Sequence, residues 1–141
     1  MSAVNAGAPP APVERRRLEC ILFVDDEEAL LFLAERLLGR LGYRVTTFDS
    51  PIEALQAFRE SPEAFDALVT DISMPAMNGF DLAAEIRALR PSLPVVVISG
   101  YLRPEDEERA ASLGVRALIP KANVVEEMAA SLDRIFQQTA T

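Results

Sequence analysis

The sequence predicts an α/β fold, a doubly wound parallel sheet with helices on both faces. Two observations lead there. Three short runs, Cys20–Val24, Ala67–Val69 and Val95–Ile98, are apolar without alternation, the pattern of strands buried on both faces. Between and after the runs lie stretches with helical spacing, caps and stops. Strand and helix patterns alternate five times, and alternating elements wind into a parallel sheet.

The first strand pattern, Cys20–Val24, ends in Asp25-Asp26-Glu27-Glu28. Acids suit the dipole at a helix start, so Glu27 and Glu28 are read as first-turn residues. That helix is expected over 27–41, with Leu30, Leu33, Ala34, Leu37 and Leu41 on its inner stripe and Gly42 as its stop. A strand follows at 43–48. Ser50-Pro51 is an N-cap with proline at the first helical position, opening a helix to about Arg59. Ser61-Pro62 breaks the chain before the Ala67–Val69 run, which ends on Asp71. Met74-Pro75 and Asn78-Gly79 mark a loop. The third helix, 80–89, turns Leu82, Ile86 and Leu89 inward. Pro91 and Pro94 bracket the turn into Val95–Ile98, which ends on Ser99-Gly100. A charged helix over 104–113 stops at Gly114, a short strand runs over 116–119, and a last helix spans about 124–137. Five strands in this arrangement suggest a flavodoxin-like (βα)5 sheet in the order 2-1-3-4-5.

Composition narrows the function. The 141 residues carry a net charge of -8 and are 50% hydrophobic, which fits one folded domain and argues against direct nucleic-acid binding. No apolar run is long enough to span a bilayer and no secretory signal opens the chain, so a cytoplasmic setting is expected. The absence of His removes His-based catalysis and Cys/His zinc sites. Cys20, the single cysteine, sits in a strand pattern and is read as a small core residue. Residues 1–17, rich in Ala and Pro and ending in Arg15-Arg16-Arg17, are expected to be a disordered tail or linker, leaving 18–138 as the domain.

The polar residues that stand out all follow strands. Asp25 and Asp26 follow the first, Asp71 ends the third, Ser99 follows the fourth and Lys121 the fifth. Each alone has a plain explanation; Asp71, for instance, is a residue type that caps turns. In a parallel sheet, however, these ends share one edge. Three carboxylates, a hydroxyl and an ammonium then converge. Clustered carboxylates repel unless a cation neutralises them, and a hard divalent ion such as Mg2+ suits an all-oxygen site. The ion attracts a phosphoryl group, whose other oxygens Ser99 and Lys121 can hold. A dinucleotide site is excluded, since the turn after the first strand is acidic rather than glycine-rich.

The segments Phe23-Val24-Asp25-Asp26-Glu27, Thr70-Asp71-Ile72-Ser73-Met74-Pro75-Ala76-Met77-Asn78-Gly79, Val97-Ile98-Ser99-Gly100 and Gly114 to Lys121 resemble the receiver domain of two-component response regulators, over about Leu18 to Phe136. The resemblance implies that Asp71 is the phosphoacceptor, taking its phosphoryl group from a histidine kinase or a histidine phosphotransfer protein. It implies that Asp26, Asp71 and the Ser73 carbonyl bind Mg2+, with Asp25 holding a water of the ion. It also implies that Ser99 and Lys121 bind the phosphoryl oxygens. Catalysis would be limited to the domain's own phosphorylation and dephosphorylation. The sequence departs from the family pattern at Ala122, where a proline usually follows the lysine in a cis bond, and at Leu118, where an aromatic usually reports phosphorylation. A trans bond between Lys121 and Ala122 is therefore expected, and Tyr101 becomes the nearest aromatic to the site. Phe32 is expected on the outer face of the first helix, where the donor's helical bundle docks on such domains.

Two other functions compete with this one. A Mg2+-dependent phosphohydrolase with an aspartyl nucleophile would resemble the haloacid-dehalogenase-like enzymes, which place that Asp after the first strand with a second Asp two residues on; Ile72-Ser73 follows Asp71 here. A degenerate receiver acting as a binding scaffold would not need the complete acidic set with Ser99 and Lys121. Nothing after Phe136 is long enough for an output domain. The expected forms are thus a single-domain regulator, a phosphorelay intermediate or the terminal receiver of a hybrid histidine kinase, with the downstream target unknown.

Overall fold

The computed structural model describes residues 18–140, with side chains as far as Gln137. The expectation for residues 1–17 lies outside the described residues. In chain order the elements are β1 (Cys20–Val24), α1 (Glu28–Arg40), β2 (Arg44–Phe48), α2 (Pro51–Glu60), β3 (Ala67–Asp71), α3 (Gly79–Leu89), β4 (Val95–Ser99), α4 (Pro104–Leu113), β5 (Ala117–Pro120) and α5 (Val124–Ala140). Short 3-10 turns occupy Pro62–Ala64 and Lys121–Asn123. The strands form one parallel sheet in the order β2-β1-β3-β4-β5, the order expected from the sequence.

The uninterrupted apolar strands have the physical basis assigned to them. Alternate residues of β1, β3 and β4 enter two separate cores, one on each face of the sheet. Leu22, Leu68 and Val97 pack with α2, α3 and α4 through Phe58, Leu82, Ile86 and Ala110. Phe23, Val69 and Val96 pack with α1 and α5 through Ala34, Leu38, Met128 and Leu132. Caps set the start of α2 and the end of α4. Ser50 Oγ accepts from the Glu53 amide at 3.3 Å, and Gly114 ends α4 at a φ of 71°.

The inner face of α1 differs from the predicted stripe. Ala34 and Leu38 are the buried residues, with Leu30, Leu31 and Leu37 half-buried, while Leu33 and Leu41 are exposed. The residues 31, 34 and 38 fall on one line of a 3.6-residue helix, and the sheet selects that line over the neighbouring one. Leu41 lies past the last helical residue. Leu89, expected inward, is also exposed, because it ends α3 while Leu82, Ala83 and Ile86 fill the core.

Strand register brings the site together. Val24 pairs with Thr70, Asp71 with Ile98, and Ser99 with Pro120. The residues just beyond these pairs, Asp25 and Lys121, therefore flank Asp71 at the carboxyl edge of the sheet. This is the edge at which open α/β sheets bind ligands.

Candidate functional site

The Asp25 carboxylate is fixed by the loop between β1 and α1. Its Oδ1 accepts from the Glu27 amide at 2.8 Å, and its own amide donates to the Phe48 carbonyl at 3.1 Å. Asp25 has no solvent exposure and Asp71 almost none, whereas Asp26 is exposed. One oxygen from each of these three carboxylates lies within 4.8 Å of the others. Asp25 Oδ2 is buried without a hydrogen-bond partner; the Lys121 ammonium is 3.6 Å away. An all-oxygen cluster with an orphaned buried oxygen fits a hard divalent cation. Asp25, Asp26 and Asp71 are the side chains able to hold it.

The electrostatics follow from burial. Desolvation, reinforced by the Asp71 charge and opposed by the Glu27 amide, pushes the Asp25 carboxyl up to about 6. Desolvation also raises Asp71, against the lowering pull of Lys121. Lys121 is itself partly buried, which acts to lower its pKa. The Glu27 bond and the charges of Asp25 and Asp71 together outweigh that and hold it above the ordinary lysine range.

Lys121 begins the 3-10 turn after β5 and reaches back over the site. Its Nζ donates to Asp71 Oδ2 at 3.3 Å and to Glu27 Oε1 at 2.7 Å. Ser99, at the end of β4, is buried, and its hydroxyl is turned into its own loop. It donates to the Tyr101 carbonyl at 2.7 Å and accepts from the Tyr101 amide at 3.1 Å. All the expected site residues except the buried Asp25 line a single open cavity: Asp26, Asp71, Ser73, Ser99 and Lys121.

The loop after Asp71 shows why Gly79 is glycine. Asn78 caps α3 through Oδ1, accepting from the Asp81 amide at 2.8 Å, so Asn78-Gly79 is a helix start rather than a free turn. A Cβ on Gly79 would lie 2.0 Å from the Asp71 carbonyl oxygen. The helix start therefore presses directly on the strand end that delivers Asp71. In the same loop Ala76 has a φ of 73°, and the Met77 amide donates to the Pro75 carbonyl at 2.8 Å.

Three side chains at the cavity have little signal in the sequence. Glu27, read as a dipole-suited acid, is the N-cap residue of α1 and makes no side-chain cap; its carboxylate holds Lys121 instead. Arg103 and Asp106 line the far wall as a mutual pair, with Asp106 Oδ1 accepting from Arg103 Nη2 at 3.2 Å and Oδ2 from the Arg103 amide at 3.1 Å. Proline at the first position of α4, with an acid three residues after the cap, is the only sequence signal for that pair. Tyr101 lines the cavity rim but is 78% exposed, so its ring does not cover the site. Leu118 is half-buried against the core on the α2–α4 face. No cis peptide occurs among the described residues, in keeping with a trans Lys121–Ala122 bond. No described helix is long and apolar enough to cross a membrane.

The family model for the response regulator receiver domain matches residues 21–133. Among curated proteins, the chain is 40% identical over 79 residues to the two-component response regulator ARR14 of Arabidopsis thaliana, a match covering 56% of this chain and 21% of that protein. It is 33% identical over 112 residues to the sensory/regulatory protein RpfC of Xanthomonas campestris pv. campestris, covering 77% of this chain and 15% of that one. The chain thus spans well under a third of the length of these relatives. Among solved structures, a response regulator receiver domain protein from Clostridium thermocellum superposes with a TM-score of 0.81 at 26% identity, covering 87% of this chain and 98% of that one. The non-phosphorylated HemR receiver domain from Leptospira biflexa gives 0.77 at 32%, covering 83% and 93%. A flavodoxin-like sheet with three acids, a hydroxyl and a lysine gathered at its carboxyl edge agrees with these matches, and the chain belongs to the response regulator receiver domain family of two-component signal transduction.

Proposed function

We propose that residues 18–138 form a phosphoaccepting module that receives a phosphoryl group on Asp71 from a histidine kinase or histidine phosphotransfer protein in the cytoplasm. The observation that carries this reading is the convergence of Asp25, Asp26 and Asp71 oxygens within 4.8 Å, with Lys121 on Asp71 Oδ2 at 3.3 Å. Asp26, Asp71 and the Ser73 carbonyl would hold Mg2+, with Asp25 beside them. When bound, the ion neutralises the carboxylates and stabilises charge on the transferring phosphoryl group.

The chain's own groups position the reaction. An Asp71 carboxylate oxygen forms a bond to phosphorus while the bond from phosphorus to the donor's imidazole nitrogen breaks. The electron pair of that bond stays on the nitrogen. Lys121 and Ser99 then bind phosphoryl oxygens. Such a transfer needs alignment and charge neutralisation rather than an acid-base relay, which suits a site without histidine.

The test is phosphorylation by acetyl phosphate, in which the P–O bond to the acetyl group breaks and acetate leaves with its electron pair. Intact-mass analysis should show one phosphoryl group with Mg2+, none in chelator, and none in Asp71→Asn. Full incorporation in Asp71→Asn, or in chelator, would refute the proposal.

A further inference from the structure

Glu27 is an exposed carboxylate with an ordinary explanation, yet its contact with Lys121 at 2.7 Å is shorter than the 3.3 Å that Lys121 makes to Asp71 or the 3.6 Å to Asp25. The bond joins residues 94 positions apart, across the mouth of the cavity. Glu27 owes its backbone position to the amide bond with Asp25 and has no capping duty of its own. Its neighbour Glu28 faces a different groove, toward Phe32 and Thr47, and does not line the site.

We infer that Glu27 is a positioning residue that holds the Lys121 ammonium in the unphosphorylated protein and must release it when a phosphoryl group arrives. This rests on the proposal that Asp71 is the phosphoacceptor. An ammonium has three donors, and here it is shared among three carboxylates. Binding a phosphoryl oxygen requires a new direction for at least one of those donors. Glu27 is the partner best able to let go, since it is 62% exposed and its carboxylate can be solvated in place of the ion pair. Glu27 also adds a negative charge at the mouth through which an anionic phosphodonor enters. Both effects favour the unphosphorylated form. Glu27 thus sets how readily the site accepts a phosphoryl group.

The test compares Glu27→Gln with Glu28→Gln, which removes the same charge one residue away. In metal-free, unphosphorylated protein, the 15N and 1H shifts of the Lys121 ammonium should move in Glu27→Gln and stay in Glu28→Gln. With acetyl phosphate and saturating Mg2+, Glu27→Gln should accept a phosphoryl group about two- to five-fold faster than wild type at low salt, the range of an exposed ion pair, and Glu28→Gln should match wild type. Glu27→Asp should fall between wild type and Glu27→Gln. An unmoved Lys121 signal in Glu27→Gln, or equal acceleration by both Gln substitutions, would overturn the inference. Failure of wild type to take a phosphoryl group would instead defeat the reading of Asp71, and the Lys121 shift would still decide whether Glu27 holds the lysine.

Discussion

The Ser99 hydroxyl is closed on the backbone of Tyr101, donating to its carbonyl at 2.7 Å and accepting from its amide at 3.1 Å. A hydroxyl has one proton to donate. To donate to a phosphoryl oxygen on Asp71, Ser99 must give up the Tyr101 carbonyl. That carbonyl belongs to a loop that continues into Arg103 and the start of α4.

Phosphorylation is therefore expected to reorder residues 99–104 more than β5, where Leu118 has neither hydroxyl nor ring to exchange between buried and exposed states. Amide shifts on adding beryllofluoride and Mg2+ check this. The largest changes should fall on Gly100, Tyr101 and Leu102. Changes confined to 117–120 would mean that the signal leaves by the last strand. Tyr101→Ala should shorten the phosphoryl lifetime if the ring shields the group once the loop has moved, and an unchanged lifetime would exclude that role.

The difference between what could and could not be read in advance has a physical pattern. Strand ends are local: an apolar run stopping at Asp71 or Ser99 announces where a polar group must sit, and sheet order does the rest. The choice of stripe on α1 is not local. Leu30, Leu31, Leu33, Leu37, Leu38 and Leu41 offer two overlapping helical faces, and only contact with the sheet selects Ala34 and Leu38 as the buried pair. The Glu27–Lys121 bond is further out of reach, because it depends on one rotamer of each residue across 94 positions. Gly79 is visible as a turn residue, but its actual constraint is the Asp71 carbonyl oxygen, which periodicity does not show.

That constraint gives a second expectation. Gly79→Ala places a methyl group against backbone atoms of Asp71 and Ile72, at 2.0 Å from the nearest. Backbone cannot rotate away as a side chain can, so α3 or the end of β3 must shift. Overpacking of this kind costs about 1–3 kcal/mol. Urea melts should show that loss, and Mg2+ affinity should fall because Asp71 moves with its carbonyl. A variant as stable as wild type would show that the loop yields without strain.

Asp25 supplies a pH dependence in metal-free protein. Its folded pKa of about 6 lies above the ordinary 3.8 of an unfolded chain. Between those values the folded state binds the extra proton, so stability from this group falls as pH rises from about 4 to 6 and is lowest above that window. A rise of this size corresponds to roughly 3 kcal/mol. Chelated protein should therefore melt at a higher temperature at pH 5 than at pH 7, and Asp25→Asn should flatten the difference. Mg2+ held by the folded site as proposed should raise the pH 7 melting temperature most. A chelated protein that melts no higher at pH 5 than at pH 7 would contradict the first point, and a pH 7 melting temperature indifferent to millimolar Mg2+ the second.

The last expectation concerns the donor. Phe32 projects from the outer face of α1 with 61% of its surface exposed, and the Arg36 guanidinium sits 5.4 Å from its ring centre. A single exposed aromatic is ordinary on a protein surface. This one stands on the helix that follows the Asp25-Asp26 turn, beside a groove floored by Leu31 and Phe48 and rimmed by Glu28, Glu35, Asp49 and Glu53. A phosphohistidine delivered to Asp71 must arrive on a partner large enough to touch that flank, whereas acetyl phosphate touches only the cavity. Truncating Phe32 removes an aromatic anchor, the side-chain type that dominates binding at interfaces. Phe32→Ala should therefore slow transfer from a cognate kinase or phosphotransfer protein about ten-fold or more through weaker docking, with acetyl phosphate phosphorylation and melting temperature unchanged. Equal loss with both donors would place Phe32 in the support of the site rather than in the docking surface. Because the groove rim is acidic, raising the salt concentration should also weaken transfer from a basic partner surface in wild type, and Glu35→Gln should reduce that salt dependence without affecting the small donor.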